Sequence, residues 1–216
     1  MGAHSALTKG TRPQREANEA VHKQTPSLER MNVKNNVTTR EASSVQAGRK
    51  HKKEKPVKKI KMKATAVLNA RPEDVYATIA DYREGHPNIL PKKHLYELQV
   101  EQGGYGAGTL IRFKSRFLGV EQSLYQRVSE PEPGRVLVEQ DIDSTQQKRV
   151  TFTVIPVEQG QKSHVEIFAI MNPSPGLQGV IERMVISRLF PPVLRKELKL
   201  LEAVAQKSTH QRRKEE

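Results

Sequence analysis

The sequence of 216 residues contains no cysteine and no tryptophan, and only 5% of its residues are aromatic. Without cysteine, the chain has no disulfide, no thiol nucleophile and no thiolate ligand for zinc or an iron–sulfur cluster. Long apolar runs are missing too: no stretch reaches the roughly 18 to 20 apolar residues of a transmembrane helix, and no secretory signal begins the chain. With a mean hydropathy of -0.69 and 28% charged residues, these absences predict a soluble, cytoplasmic protein.

Positive charge is abundant but unevenly distributed. The formal net charge is +13. Residues 1–59 contain 14 Lys and Arg against 5 Asp and Glu, a net charge of +9, whereas residues 60–206 contain 19 against 17, a net charge of +2. The remaining +2 comes from residues 207–216. The central part of the chain is therefore close to neutral, and arguments from basicity concern its two ends.

Residues 1–59 lack the composition of a folded core. They contain nine residues from Val, Ile, Leu and Met, no aromatic residue, and no helical or strand periodicity. So few apolar side chains cannot offset the conformational entropy of folding, about 1–2 kcal/mol for each ordered residue. We therefore predict a disordered basic arm over residues 1–59 and a charged disordered tail over residues 207–216.

The basic charge of the arm is concentrated at its end. Residues 49–63 carry nine Lys and Arg against the single acid Glu54. We interpret this run as a solubilising linker, or as sequence upstream of a true start at Met31 or Met62, because no aromatic residue is interleaved to stack on bases. The alternative is weak electrostatic contact of residues 49–63 with nucleic acid or an anionic membrane.

Residues 60–206 have the periodicity of one α+β domain. Apolar residues alternate from Ile60 to Leu68, which predicts a strand, and Pro72 followed by two acids predicts a short helix that ends near Asp81. A second brief helix is indicated around residues 82–86. A period of two then predicts six strands, over residues 94–102, 107–118, 120–129, 135–142, 146–157 and 162–171. The short connections favour antiparallel pairing.

The same alternation assigns residues to the two faces of the sheet. In the run 135–142, we expect Val136, Val138 and Ile142 on the apolar face and Glu139 and Asp141 on the solvent face. Apolar residues recur at helical spacing over residues 177–201, so we predict a long C-terminal helix that covers the apolar face. We expect this helix to kink or break at residues 191–192, where two prolines remove backbone donors.

Several short stretches carry a family resemblance. They are residues 70–76 (ARPEDVY) with 80–82 (ADY), 106–109 (GAGT), 131–138, and 173–177 (PSPGL) leading into 197–201. In this order they resemble the helix-grip fold of the START-like (SRPBCC) superfamily, which holds polyketide cyclases and dehydrases, lipid-transfer proteins, coenzyme Q-binding proteins and birch-pollen-type allergens. The resemblance covers about residues 60–206. It implies a seven-stranded curved antiparallel sheet around a long C-terminal helix, with two short helices after the first strand.

The resemblance also implies an internal cavity that binds a hydrophobic or amphipathic small molecule, such as a lipid or a polyketide-like compound. Ligand sites of this kind are mostly apolar with a few polar groups. The residues that we expect to line the cavity are Tyr96, Phe113, Phe117, Gln126, Val138, Phe152, Ile167, Met171, Ile181, Met184 and Arg188. Arg188 is the candidate for an acidic head group, although an arginine that reaches solvent past an apolar stem would show the same spacing.

Patterns of catalytic or metal chemistry are missing. The sequence has no His-Glu-x-x-His, no paired metal-ligand spacing and no serine hydrolase elbow, and its glycine-rich stretch 103–108 joins two strands rather than a strand and a helix. We therefore predict no metal, no cofactor and binding rather than catalysis. Two alternatives stay open: a cyclase or dehydrase in which Tyr96, Gln126 or Arg188 polarises a carbonyl, and an adaptor that uses the basic arm. The sequence makes no prediction of oligomeric state.

Overall fold

The computed structural model describes residues 58–117 and 119–215. The predictions for residues 1–57, which include most of the basic run 49–63, lie outside the described residues. From that run, Lys61 and Lys63 are described as exposed strand residues, and the ammonium of Lys63 lies 2.6 Å from a carboxylate oxygen of Glu166.

Seven strands and four α-helices form the fold of the described residues. The strands are β1 (Ile60–Leu68), β2 (Leu95–Gln102), β3 (Leu110–Phe117), β4 (Val120–Glu132), β5 (Val136–Asp141), β6 (Arg149–Val157) and β7 (Lys162–Met171). The helices are α1 (Pro72–Ala80), α2 (His86–Ile89), α3 (Gly176–Leu189) and α4 (Pro191–Glu215). All strand pairs are antiparallel, in the order β1-β7-β6-β5-β4-β3-β2. The α+β helix-grip fold is confirmed.

The core lies between one face of this sheet and helix α4. Strand β1 shows why: every second residue from Ile60 is apolar and, except for the half-buried Ala66, buried, and the lysines between them are exposed. Helix α4 contributes Leu194, Leu198 and Leu201, all nearly inaccessible to solvent. Helix α1 adds Val75 and Ile79 to the same core. Helix α4 is therefore the element that the sheet grips.

The C-terminal helical region is broken where the two prolines predict it. The Phe190 amide donates to the Ile186 carbonyl oxygen at 2.9 Å and caps α3, and α4 begins at Pro191. The two helices differ in burial: Gly179 is the one buried residue of α3. A Cβ atom at Gly179 would lie 1.9 Å from the Ser174 carbonyl oxygen, so the absence of a side chain lets α3 pack against the segment before it.

The structure differs from the predictions in some details. On β5 the buried residues are Leu137, Glu139 and Asp141, whereas Val136 and Val138 lie on the opposite face. The face assignment failed because both faces of this strand carry apolar side chains. The structure also differs from the predicted disordered tail over residues 207–216, since α4 continues to Glu215.

The helical tail has a simple physical explanation. Residues 202–215 contain neither glycine nor proline and are rich in Glu, Ala, Gln, Lys and Arg, which favour helices. A helix whose first half is packed adds further residues at little cost, because nucleation has already occurred. None of the helices in the described part of the chain has the length and hydropathy that a membrane crossing needs.

Candidate functional site

An open groove of about 680 Å³ runs between α3 and one end of the sheet. Helix α3 forms one wall, and the residues around the β3–β4 turn, the loop before β6 and the end of β7 form the other. The lining residues are Phe117, Val120, Gln122, Ser144, Thr145, Gln146, Met171, Ser174, Leu177, Gln178, Ile181, Glu182, Val185 and Ile186. Several apolar residues of this region are exposed: Leu177 has 75% of its surface accessible, and Val120 has 67%.

Two small cavities lie inward of the groove. The first, of about 40 Å³, shares Phe117, Gln122, Gln146, Met171 and Ile186 with the groove. The second, of about 30 Å³, shares Lys148 and Phe190 with the first. We call them the middle and the deep cavity. The deep cavity has room for about one water molecule.

The interior is therefore fuller than the predicted hollow, and most of the free space is open to solvent. The reason lies in the helix break: α4 fills the centre of the sheet with its own leucines, while α3 lies at the surface at one end of the sheet and is mostly exposed.

Two aromatic rings stand between the groove and the deep cavity. The ring centroids of Phe117 and Phe190 are 5.6 Å apart, in an edge-to-face arrangement. The Lys148 ammonium lies 5.5 Å from the centroid of the Phe190 ring, a cation–π contact. Because Phe190 joins α3 to α4, a displacement of α3 would move the Phe190 ring, which borders both the middle and the deep cavity.

A buried polar cluster borders the deep cavity, with Glu139 at its centre. The Tyr82 hydroxyl donates to Glu139 Oε1 at 2.7 Å, and His86 Nε2 lies 3.4 Å from the same oxygen. The His86 ring stacks on Tyr82, and its Nδ1 hydrogen-bonds the Ile79 carbonyl oxygen at 2.8 Å. Burial first, and Glu139 second, raise the pKa of Tyr82 well above its usual value. Tyr82 therefore stays protonated and keeps donating to Glu139.

Lys148 and Glu197 complete the polar wall of the deep cavity. Only 9% of Lys148 and 4% of Glu197 are accessible to solvent. Burial lowers the pKa of Lys148, although the nearby acidic side chains of Asp141, Glu139 and Glu197 oppose this effect. Burial raises the pKa of Glu197 to about 8, and Glu139 adds to the rise while Lys148 opposes it. At neutral pH Glu197 is therefore a carboxylic acid that can donate a hydrogen bond.

Asp141 and Gln126 form a second buried pair. The Gln126 amide donates to Asp141 Oδ1 at 2.8 Å, and the Lys148 backbone N–H donates to Oδ2 at 3.1 Å. Burial raises the pKa of Asp141, and the hydrogen bond from Gln126 works against the rise. These contacts fix the start of β6, and with it the position of Lys148.

Seven of the eleven predicted site residues lie in the core or along the groove. Phe113 and Phe152 line the deep cavity, Phe117 and Met171 line the groove and the middle cavity, and Ile181 lines the groove. Gln126 and Ile167 are fully buried on the inner face of the sheet but border none of these spaces.

The other four predicted residues lie away from the groove. Val138 is on the outer face of β5, and Tyr96 is on the outer face of β2, where its hydroxyl donates to Glu121. Met184 and Arg188 are exposed on α3 and do not border the groove. Arg188 occupies the position of the alternative given above, an arginine whose side chain reaches solvent. The reason is that α3 lies at the surface and not in the grip of the sheet.

The sequence contains signals for the polar cluster that the prediction missed. Lys148 has the same strand parity as Val150, Phe152 and Val154, which the alternation places on the apolar face. Glu197 lies three residues after Leu194 and directly before Leu198, within the apolar stripe of the last helix. An ionisable residue on an apolar stripe is the signal that could have identified both positions.

Metal chemistry finds no support among the described residues, which contain no group of three or more His, Cys, Asp or Glu side chains placed to hold an ion. The site is thus an apolar groove that ends in a small polar cavity, with Lys148 and Glu197 as its ionisable groups.

Comparisons with known proteins place this geometry in a family. Residues 59–206 match the family described as "Polyketide cyclase / dehydrase and lipid transport". The chain is similar to the KanY protein, whose solution structure shares 25% identity, covers 69% of this chain and 99% of its own length, and superposes with a TM-score of 0.59. Comparison with curated protein sequences gives no significant match.

Two further structures share the fold at lower identity. The Zhui aromatase/cyclase from Streptomyces sp. R1128 is 13% identical, covers 70% of this chain and 96% of its own, and has a TM-score of 0.59. A START superfamily protein from Mycobacterium smegmatis is 14% identical, covers 68% and 97% of the two chains, and has a TM-score of 0.53. The match over residues 59–206 shows that the chain belongs to the polyketide cyclase / dehydrase and lipid transport family.

Proposed function

We propose that the protein binds a hydrophobic or amphipathic small molecule, such as a lipid or a polyketide-like compound, in the groove between α3 and the sheet. One observation carries the proposal: a groove of about 680 Å³ has an apolar wall on a helix that is otherwise hardly packed. The exposure of Leu177 and Ile181 on α3 to water is unfavourable in free energy. A bound apolar ligand would cover these side chains and remove that unfavourable contribution.

The size of the groove sets the expected affinity. A ligand that buries roughly 300 Å² of apolar surface gains about 7 kcal/mol at about 25 cal/mol per Å². Immobilising the ligand offsets part of this gain, so the expected dissociation constant is in the micromolar range. An affinity of this size suits a carrier or a sensor that must also release its ligand.

The cyclase or dehydrase alternative is favoured by a different observation, the buried polar cluster at the inner end of the site. Its groups are not those that the sequence indicated, since Tyr96 and Arg188 lie outside the groove. Turnover of a polyketide-like substrate by the purified protein would support this alternative. Saturable retention of the unchanged substrate supports binding alone.

A titration with the neutral dye N-phenyl-1-naphthylamine tests the groove. The dye should bind saturably with enhanced fluorescence, and Ile181→Ser should weaken binding about threefold to tenfold by making the α3 wall polar. Val180→Ser is the matched control, because Val180 is exposed on the same helix but does not line the groove. Unsaturable binding, or equal weakening by both variants, would overturn the proposal.

A further inference from the structure

The deep cavity has the features of a built polar site. It is lined mostly by apolar side chains, yet Lys148 and Glu197 are among its lining residues. Both side chains are more than nine-tenths buried, and neither group hydrogen-bonds another described residue. Because a buried charge or carboxyl group without a hydrogen-bond partner is costly, its presence here indicates a partner that comes from outside the chain.

The groove, the middle cavity and the deep cavity lie next to one another, from the surface inward. The groove and the middle cavity share Met171 and Ile186, and the middle and deep cavities share Lys148 and Phe190. Lys148 is therefore the first cation that a ligand meets as it moves inward from the groove. The apolar body of such a ligand would remain in the groove, next to α3.

We propose that Lys148 and Glu197 bind an uncharged carbonyl oxygen, of a ketone or an ester, at the leading end of an otherwise apolar ligand. This inference rests on the proposed function, since the apolar body has to occupy the groove. The volume of about 30 Å³ admits a single oxygen atom or a group of similar size and excludes a bulky head group.

The electrostatics of the cluster favour a neutral acceptor over an anion. Lys148 donates through the N–H groups of its side chain, and Glu197 donates as an acid because its pKa is raised to about 8. The carboxylates of Glu139 and Asp141 lie close enough to affect Lys148 and would repel an anionic group. Glu139 already accepts from Tyr82 and lies beside His86. A carbonyl oxygen offers two lone pairs to two donors and adds no charge.

Two probes of matched shape test the inference on the full chain. 2-Acetylnaphthalene carries a ketone, and 2-isopropenylnaphthalene has a CH₂ group in place of the carbonyl oxygen. Calorimetric titration gives the affinity of each probe, and infrared spectroscopy of the ¹³C-labelled ketone reports hydrogen bonds to its carbonyl through a lowered stretching frequency. In water the ketone is the better hydrated of the two, so tighter binding of the ketone requires donors inside the site.

Lys148→Met keeps the length of the side chain and removes its charge. We expect wild-type protein to bind the ketone at least as tightly as the alkene and to lower the carbonyl stretch. In the variant, ketone affinity should fall about tenfold or more, alkene affinity should stay within twofold, and the stretch should return towards its value in an apolar solvent. Lys199→Met, at an exposed position of α4, is the matched control and should change neither quantity.

The variants Glu197→Gln and Glu197→Leu provide a second test, because glutamine can still donate a hydrogen bond and leucine cannot. Glutamine should keep ketone affinity within about threefold, and leucine should lower it. A carbonyl stretch that is identical in wild type and Lys148→Met, or an equal loss of affinity for both probes, would overturn the inference and leave the groove proposal standing. If neither probe binds to the wild type, both proposals fail.

Discussion

At the scale of single residues, the protein combines an apolar core with an unusual number of buried ionisable groups. Tyr82, His86, Glu139, Lys148 and Glu197 are all less than a tenth exposed, and they meet at one place. Charged residues are rarely so buried without pairing. Several of them do not pair fully, so we interpret the cluster as part of a site and not as a device for stability.

Removing the Tyr82 hydroxyl should destabilise the protein. In Tyr82→Phe, Glu139 loses a 2.7 Å hydrogen bond in a buried environment, which should lower the free energy of unfolding by about 1–3 kcal/mol. Urea denaturation measures the change. Tyr96→Phe is the matched control: its hydroxyl also donates to a glutamate, but at an exposed position, and stability should hardly change. Equal effects of the two substitutions would contradict the buried arrangement.

Glu197 should make stability depend on pH. Its pKa is about 8 in the folded protein and 4.5 when exposed, so the folded state binds more protons than the unfolded state between these values. The contribution of Glu197 to the free energy of unfolding is therefore fully present below pH 4.5. It is lost as pH rises towards 8, and the loss amounts to up to about 5 kcal/mol.

The comparison with Glu197→Gln isolates this contribution, because glutamine does not titrate. The difference in free energy of unfolding between wild type and variant should shift in favour of the variant from pH 5 to pH 8.5, as measured by urea denaturation at each pH. A difference that stays constant over this range would show that Glu197 ionises normally.

At the scale of secondary-structure elements, α3 and α4 have different roles although one apolar pattern runs through both. Helix α4 packs its leucines into the sheet, and α3 presents Leu177, Val180 and Met184 to solvent. The break between them comes from Pro191 and Pro192 and was predictable from the sequence. The exposure of α3 was not, because an apolar stripe at helical spacing does not reveal whether its partner is the sheet, a ligand or another surface.

Gly179→Ala should loosen α3 despite the better helix propensity of alanine. Propensity alone would favour the substitution by about 1 kcal/mol. The new Cβ would lie 1.9 Å from the Ser174 carbonyl oxygen, so we expect a net destabilisation of about 1–3 kcal/mol and faster amide hydrogen exchange in α3. Ser187→Ala, on the exposed face of the same helix, should not speed exchange. Unchanged exchange in Gly179→Ala would contradict the close packing of α3 at this position.

Strand faces show what the sequence could and could not reveal. Alternation assigned the inner residues of β1 and β6 correctly because their polar and apolar residues segregate. On β5, valines occupy one parity, and the other combines Leu137 with Glu139 and Asp141. On this strand, hydrogen-bond partners from other elements, such as Tyr82 and Gln126, determine which set of alternate residues is buried. A pattern within one strand contains no information about those partners.

At the scale of the whole molecule, the helix-grip domain would act as a carrier, and the basic charge outside residues 60–206 would be dispensable for binding. We predict that removing residues 1–57 leaves dye affinity within about twofold at both 50 and 200 mM salt. The reason is that the groove lies wholly within residues 117–186, and its contacts are mostly apolar. Fluorescence titration of the shortened and full chains measures this. Affinity that depends on both the arm and the salt concentration would favour the adaptor alternative instead.

The most direct test of the central claim is to locate a bound ligand by methyl NMR. Intermolecular NOEs between 2-acetylnaphthalene and the methyl-labelled full chain should appear at Met171, Ile181 and Ile186, which line the groove. The methyl groups of Val67 and Ile155, exposed elsewhere on the domain, should show none. NOEs confined to Val67 and Ile155, or no NOE at saturating ligand, would contradict a ligand site between α3 and the sheet.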